Sequence, residues 1–460
     1  MSDLQLPLDS GAESPDGAPV PAAAPPASAA APPASAAAPP ASSHFGRRLC
    51  GIVALGLLGR VLYVVLVQGT FVGGDGYHYH NAALQLVDGM GFINPLALDT
   101  QKRIVPDAVH PPGWTLVLAG VSALGMRSYL AHQITGALVG GLVVLMTGLA
   151  GRAMLGARVG LVAAALAAVY PNVWLYERDV AVEPLAMLGG ATMLWLVYRY
   201  RAHAGAGLAA ALGASIAFQA LARAELLTLS VLVVAPLILW APGIAVGDRV
   251  ARLALAGVVC VLCIAPWSIY NTTRFQRFVP LSNGLGAAML CGNCPLVYGG
   301  ERFGFSDLSC VMFVPHRSDD PSIVDGQFRA AAVGFMQQNP HLPALIAARL
   351  GRTFGFYRPA QQVQFEAARG TSQTIIWVAF VSYWLLLPFA VAGGVLARRR
   401  RIPIYPLLAL PLIALLSTAI TVGAVRYRAP SEISLVLLAA VALDALYRGA
   451  PRRAAPAGGS

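Results

Sequence analysis

Long apolar stretches separated by short polar ones recur along most of the chain after residue 46. Each stretch has about the length that an α-helix needs to cross the ≈ 30 Å hydrocarbon layer of a bilayer. The pattern predicts spans at 49–68, 130–150, 159–176, 184–200, 207–222, 226–241, 253–270, 373–395, 403–423 and 430–447. It therefore indicates an all-α polytopic membrane protein with about ten transmembrane helices.

Composition supports a membrane protein and argues against a nucleic-acid partner. The 460 residues are 57% hydrophobic and only 12% charged, with a mean hydropathy of +0.64. A chain this apolar cannot cover its apolar surface in one aqueous core, so the bilayer must be its main solvent. The net charge is +11, but the basic residues form small clusters between apolar spans and do not line one face.

The chain divides into two tails and one membrane domain. Residues 1–45 are rich in Pro and Ala and offer no amphipathic period, so we expect a disordered cytoplasmic tail. The first apolar stretch is too long for the hydrophobic region of a signal peptide and should be an uncleaved anchor. We expect the membrane domain to cover 46–448, and 449–460 to be a short cytoplasmic tail.

Arginine clusters at the ends of the spans predict the topology. If they all lie on the cytoplasmic side, both termini are cytoplasmic, and the chain is a multi-pass protein of a bacterial plasma membrane. The alternation holds only if the apolar stretch 113–125 does not cross and forms a juxtamembrane helix on the outer face. The clusters are Arg47 and Arg48, Arg152 and Arg158, Arg199 and Arg201, Arg249 and Arg252, Arg398 to Arg401, and Arg448, Arg452 and Arg453.

The opposite, outer face collects the remaining ionisable residues. Its main parts are the loops 69–128 and 271–372, and residues 324–357 of the second loop should form further juxtamembrane helices. Charged groups at the membrane surface are costly unless they have a partner or a task, so their convergence predicts a site. They are Asp75, Lys102, Arg103, Asp107, His110, Glu177, Arg178, Asp179, Glu183, Arg223, Glu225, Arg426 and Arg428.

Seven motifs in this order resemble the GT-C membrane glycosyltransferases, most of all the protein O-mannosyltransferases and the lipid A aminoarabinose transferases. The resemblance implies a GT-C fold and transfer of a sugar from a polyprenyl-phosphate donor to an acceptor on the outer face. The motifs are Asp75-x-Tyr77, Gly89-Met90-Gly91-Phe92, His110-Pro111-Pro112, Glu183-Pro184-Leu185, Ala265-Pro266-Trp267 with Asn271, Gly292-Asn293 with Pro295, and Arg426-Tyr427-Arg428-x-Pro430.

The resemblance assigns roles to the acidic residues. Asp75 matches the family's first-loop aspartate, which implies the general base that deprotonates the acceptor; the alternative is a loop cap. Glu183 matches the second acid, which orients a substrate or binds a cation. Two positions depart from the family pattern, since Val182 replaces a frequent serine and Gly76 replaces a frequent second acid. The second departure weakens the case for a metal held by two carboxylates.

Arginines and aromatic residues are the expected substrate contacts. Arg426 and Arg428 match phosphate contacts of the family, because a guanidinium suits phosphate oxygens; the alternative is snorkelling to the interface. Arg223 serves the same purpose or only neutralises Glu225. Tyr77 stacks on a substrate or anchors the protein at the interface.

Histidines and cysteines leave several possibilities open. His78, His80 and His110 either bind zinc or form a hydrogen-bonding surface. We assign no metal ligand and no cofactor, although a divalent cation stays possible, and we count His110 among the substrate-binding residues. Arg60 lies inside the first span and either pairs with an acid or reaches the donor phosphate. One pair among Cys291, Cys294 and Cys310 could form a disulfide on an oxidising face.

These observations predict direct displacement of a lipid phosphate by an acceptor, with Asp75 as base. The sugar is a hexose or pentose, and the acceptor is a protein, lipid or glycan; the sequence does not distinguish among them. A membrane transporter or lipid flippase is the alternative, but it should have internal repeats and ionisable residues near the bilayer midplane. A non-catalytic scaffold is the third possibility, and Asp75 would then be dispensable.

Overall fold

The computed structural model describes residues 41–67, 74–315, 318–368 and 370–449. The predicted tail at 1–45 lies mainly outside these residues, as does nearly all of the predicted tail at 449–460. From Ser42 onward the described residues belong to one compact unit. They form helices and no strand, with one isolated bridge between Ile93 and Pro106. The all-α prediction is therefore confirmed.

The described residues form eighteen α-helices. In chain order they are α1 (Ala41–Leu66), α2 (Gly74–Val87), α3 (Pro95–Gln101), α4 (Gly113–Ala123), α5 (Tyr129–Leu155), α6 (Ala157–Val169), α7 (Pro171–Trp174), α8 (Glu183–Ala202), α9 (Ala206–Ala222), α10 (Ala235–Leu239), α11 (Val246–Thr272), α12 (Leu285–Gly292), α13 (Pro321–Gln338), α14 (Leu342–Thr353), α15 (Pro359–Ala367), α16 (Gln373–Arg399), α17 (Tyr405–Ile420) and α18 (Ala429–Gly449). Short 3₁₀ or π segments lie at Leu175–Glu177, Ala224–Thr228, Ser230–Val234, Pro295–Val297, Leu308–Phe313 and Val425–Arg428.

Every predicted span coincides with one of these helices or with a run of consecutive short ones. Five helices of the described residues are long and apolar enough to cross a membrane on their own: His44–Leu66, Tyr129–Leu155, Val246–Thr272, Gln373–Arg399 and Val425–Arg448. A sixth candidate is the pair Ala157–Val169 and Pro171–Glu177, which bends by 71°. The bend falls where Pro171, which lacks an N–H, cannot continue the preceding helix. The chain is a polytopic membrane protein.

Small residues let the spans approach one another closely. Helices α5 and α6 cross at Gly148 and Gly160, where a Cβ at Gly160 would lie 2.5 Å from the Gly148 carbonyl oxygen. Such close backbone contact is how helices associate inside a bilayer, where the solvent is as apolar as the side chains. Leu49 of α1 packs over the same place.

Arginine side chains link several helices at one end of the bundle. The Arg152 guanidinium lies 4.5 Å from the ring centre of Phe45, which joins the end of α5 to the start of α1. Arg158 and Arg448 both pair with the buried Asp444, at 3.3 and 2.8 Å. Three of the arginine clusters that the sequence assigns to one side are thus at the same end of the molecule.

Helix α4 is the apolar stretch that the topology required not to cross. Its eleven residues rise by only about 16 Å, roughly half the hydrocarbon thickness. The helix packs against α2, α5 and α9, and Trp114 is fully buried there. The Trp114 indole N–H donates to the Val180 carbonyl at 2.9 Å. The helix is therefore too short to span a bilayer on its own.

The loop 271–372 folds into helices α12 to α15. Its predicted helical part corresponds to α13 and α14, which are separated at Asn339–His341. A disulfide joins Cys294 to Cys310 with their Cα atoms 5.9 Å apart. Cys291 is a buried free thiol. The structure thus selects one of the three pairings that the sequence left open.

Candidate active site

The central contact of the site joins the start of α2 to the turn before α18. Asp75 lies in the first turn of α2, where a helix N-terminus favours a negative charge. Arg426 lies in the 3₁₀ turn that precedes α18. Its Nη1 is 2.6 Å from Oδ2 of Asp75. Two predicted site residues from opposite ends of the chain therefore meet on one side of the molecule.

A second group of charges adjoins this pair. Glu183 begins α8, and its Oε1 lies 3.5 Å from Nη1 of Arg223. The Arg223 Nε donates to Glu225 at 2.7 Å. Arg223 and Arg426 flank the Tyr427 ring, with their guanidinium carbons 5.1 and 5.7 Å from its centre. Three carboxylates, Asp75, Glu183 and Glu225, thus pair with the two arginines.

Glu183 is more deeply placed than the other acids of the site. Its side chain is 2% exposed, and its Oε2 has no hydrogen-bond partner among the described residues. A buried carboxylate oxygen without a partner is costly.

Histidines line the other side of Asp75. Nε2 of His110 lies 3.9 Å from Oδ1 of Asp75. The His78 ring meets the His110 ring edge to face, with centres 5.0 Å apart, and Nε2 of His78 lies 3.1 Å from Oδ2 of Asp107. Burial lowers the pKa of His110 to about 4, so this imidazole is neutral at pH 7.

The three histidines considered for zinc do not converge. His80 faces away from the site, and its Nδ1 lies 3.0 Å from Nδ1 of His132 on α5. Positions 78 and 80 belong to one α-helix, and residues two apart on a helix point to different sides. The described part of the chain contains no group of three or more His, Cys, Asp or Glu side chains that could hold a metal ion.

Two predicted substrate contacts point elsewhere. Tyr77 hydrogen-bonds to Asp99 of α3. Arg428 has a side chain only 1% exposed, and its Nε donates to Glu432 at 2.6 Å. The Arg428 guanidinium also stacks on the Tyr383 ring at 3.6 Å. The structure does not bring Tyr77 or Arg428 to the Asp75 cluster, because each is held by a different partner.

Arg60, for which the sequence left two possibilities, pairs with an acid. Its Nη1 contacts Glu177, and its Nη2 donates to the Ala167 carbonyl at 2.9 Å. Both side chains of the pair are buried. This pair links α1 to the segment that follows the bend after α6. Arg60 is therefore not one of the arginines that contact Asp75 or Glu183.

An apolar groove of ≈ 370 Å³ lies beside the site. Pro112, two residues after His110, forms part of its wall, as does Leu221, two residues before Arg223. Phe92, Pro266 and Trp267 of the sequence motifs contribute to this groove, although the motifs alone do not predict it. The full lining is Leu86, Phe92, Pro112, Leu116, Leu221, Cys263, Pro266, Trp267 and Tyr270.

Solved structures resemble this arrangement of helices. No protein-family model matches the chain, and no curated protein sequence does. The oligosaccharyltransferase of Archaeoglobus fulgidus, tethered to an acceptor peptide with an NVT sequon, superposes with a TM-score of 0.52 at 12% identity. The alignment covers 88% of this chain and 50% of that one. The chain shares the fold of this oligosaccharyltransferase.

Two further solved structures extend the comparison. The same archaeal enzyme in complex with an inhibitory peptide and a dolichol-phosphate has a TM-score of 0.50 at 13% identity, over 87% of this chain and 50% of that one. ArnT from Cupriavidus metallidurans bound to undecaprenyl phosphate has a TM-score of 0.42 at 15% identity, over 89% and 79%. The chain spans about half the length of the archaeal enzyme. The predicted fold, an all-α polytopic membrane protein, is therefore also the fold of the archaeal oligosaccharyltransferase.

Proposed function

We propose that this protein is a membrane glycosyltransferase that moves a sugar from a polyprenyl-phosphate donor to an acceptor at the outer membrane surface. The observation that carries the proposal is the Asp75–Arg426 pair at 2.6 Å, with Arg223 and Glu183 beside it and an apolar groove adjacent. A carboxylate, two guanidinium groups and an apolar groove are the features that such a reaction needs. The archaeal enzyme of the same fold was solved with a dolichol-phosphate and with an acceptor peptide.

Asp75 is the general base of the proposed reaction. The acceptor oxygen or nitrogen loses its proton as it attacks the anomeric carbon, and a carboxylate within hydrogen-bond reach accelerates this step. The Asp75 side chain is 31% exposed, so a substrate can reach it. The loop-cap alternative explains neither the partner Arg426 nor the neighbouring His110.

Arg426 and Arg223 are the proposed phosphate contacts. Negative charge develops on the lipid phosphate as the sugar leaves, and preorganised guanidinium groups stabilise it. An arginine has five N–H donors, so Arg426 can hold a phosphate while it keeps Asp75. Arg428 is not included, because its partners are Glu432 and the Thr353 carbonyl.

The groove is the proposed binding site of the prenyl chain. Its wall contains Phe92, Trp267 and Tyr270, and an apolar chain buried there gains about 25 cal/mol per Å² removed from water. Leu116 and Cys263 of its lining are exposed. This exposure supports entry of a prenyl chain from the surrounding lipid.

The disulfide supports an outer location for the site. Disulfides persist in oxidising compartments such as the bacterial periplasm. Cys294 and Cys310 belong to the loop 271–372, which the predicted topology places on the same face as Asp75. Arg426 precedes the 21-residue helix α18 and Arg448 lies in its last turn, so the two arginines are at opposite ends of that helix, which supports a cytoplasmic assignment for the C-terminal end.

Transfer by purified protein in lipid vesicles tests the proposal. Labelled polyprenyl-phosphate sugars are supplied with an envelope extract as acceptor source, and release of polyprenyl phosphate is measured for wild type and Asp75→Asn. We expect Asp75→Asn to lower the rate by about 10²-fold or more. The matched control is Asp88→Asn, which follows the same helix and breaks only an exposed pair with Arg127.

The outcomes distinguish the three classes of function. Full transfer by Asp75→Asn contradicts the role of Asp75 as base. Movement of labelled lipid across the vesicle membrane without loss of its sugar identifies a flippase. Inactivity toward every donor, with no lipid movement, favours a scaffold.

A further inference from the structure

The proposed reaction releases a proton that must leave the site. The acceptor atom forms a bond to the anomeric carbon, and the bond from that carbon to the phosphate oxygen breaks with its electron pair left on the lipid phosphate. The acceptor proton goes to Asp75. Before the next turnover Asp75 must be ionised again, and a titratable group beside it can take the proton on its way to water.

His110 is the titratable group placed to receive it. Its Nε2 is 3.9 Å from Oδ1 of Asp75, while Arg426 contacts Oδ2. A guanidinium beside a carboxylate favours the ionised form of that carboxylate. Arg426 therefore favours the loss of a proton from Asp75. A shift of about 1 Å would bring the His110 nitrogen within hydrogen-bond distance.

The environment of His110 suits a transient proton carrier. Burial lowers its pKa to about 4, the carboxylates of Asp75 and Asp107 act in the opposite direction, and His78 and Arg426 add to the lowering. The imidazole is therefore neutral and able to accept a proton at pH 7. Its side chain is 26% exposed, so it can pass the proton to water.

Neighbouring side chains fix the His110 ring. Tyr79 lies against it with ring centres 4.8 Å apart, and His78 meets it edge to face. His78 is itself held by Asp107 at 3.1 Å, and the Asp107 carbonyl accepts from Arg274 at 3.1 Å. This support is what a relay group needs, because proton transfer depends on a defined distance and direction.

We propose that His110 takes the acceptor proton from Asp75 and releases it to water, and that the His78–Asp107 pair holds the His110 ring in position. The inference rests on the proposed sugar transfer. It makes His110 a positioning and relay residue that acts through Asp75, in addition to any contact it makes with the substrate.

Chemical rescue tests the relay. Transfer rates are measured for wild type, His110→Gln and His110→Ala in the vesicle assay, with and without added imidazole and substituted imidazoles of different basicity. We expect both variants to lose about 10²-fold in kcat with little change in the donor KM. Imidazoles should restore the activity of His110→Ala to a degree that depends on their basicity. His80→Gln, on the same helix but facing His132, is the control and should keep the wild-type rate.

Each outcome of the rescue experiment either supports or contradicts the proton relay through His110. An unchanged rate in His110→Gln overturns the relay and means that Asp75 releases its proton directly. Loss of activity that no imidazole restores, in protein with wild-type thermal stability, also overturns it, because His110 would then have another role. If wild type transfers no sugar, the proposed function fails and the relay with it; if wild type transfers and only the rescue fails, the proposed function stands.

Discussion

The two arginines of the turn Arg426-Tyr427-Arg428 contact different partners. Arg426 reaches Asp75, whereas Arg428 points into the core and pairs with Glu432. The sequence motif predicted both as phosphate contacts, because a motif specifies residue types and not directions. In a 3₁₀ turn successive side chains are rotated by about 120°, so neighbours two positions apart face different surroundings.

The His78–Asp107 pair should make stability depend on pH. Burial lowers the pKa of His78, but the hydrogen bond to Asp107 and its charge outweigh burial and raise that pKa above 6.5. For Asp107, burial raises the pKa, but the pairing with His78 outweighs it and brings the pKa below 3.8. The contribution of His78 is lost as pH rises through its raised pKa, and that of Asp107 is lost as pH falls through its lowered pKa.

We therefore expect His78→Gln to lower the thermal midpoint more at pH 5.5 than at pH 8.5, measured on detergent-purified protein. His80→Gln is the control, since burial lowers the pKa of His80. Its effect should not grow toward pH 5.5. An equal effect of His78→Gln at both pH values would mean that the pair does not stabilise the fold through its charges.

At the scale of elements, the spans were predictable and α2 was not. Apolar spans follow from length and composition, and the arginine clusters fixed how their ends alternate. The sequence predicts a loop over 69–128, but residues Gly74–Val87 of that stretch form helix α2. Apolar residues at Tyr79, Ala82, Ala83 and Leu86 have helical spacing, which was the available signal.

The groove and the disulfide pairing could not be predicted from the sequence, because both depend on tertiary structure. Leu86, Pro112, Leu221 and Trp267 come from four separate elements, and nothing in their own segments indicates that they meet. The spacing of the three cysteines likewise allowed more than one pairing. Both features arise from packing across the chain, which local patterns do not encode.

The disulfide Cys294–Cys310 should stabilise its part of the loop 271–372. It closes a segment with a sequence separation of 16 residues, and a crosslink of this size contributes about 3 kcal/mol. We expect Cys310→Ser, or a reducing agent, to increase hydrogen exchange in residues 295–315 while the spans stay protected. Cys291→Ser, which removes a free thiol, should leave exchange there unchanged. Unchanged exchange after reduction would contradict a formed disulfide.

At the scale of the whole molecule, the fold brings distant charges together at one end. Asp75 follows the first span, Glu183 and Arg223 belong to the middle of the chain, and Arg426 precedes the last helix. The alternation of arginine clusters predicted that these loops share a face. Which atoms pair within that face depends on how α2, α8 and the turn before α18 pack, and the sequence did not determine this.

The most direct test of the central claim is a double-mutant cycle on sugar transfer with Asp75→Asn, Arg426→Gln and both changes together, measured in lipid vesicles. If the two residues act as one unit on the donor and the acceptor, the double variant should be little slower than Asp75→Asn alone. Rates that fall independently, so that the losses multiply, would contradict joint action. Wild-type rates in Asp75→Asn and Arg426→Gln would contradict the site itself.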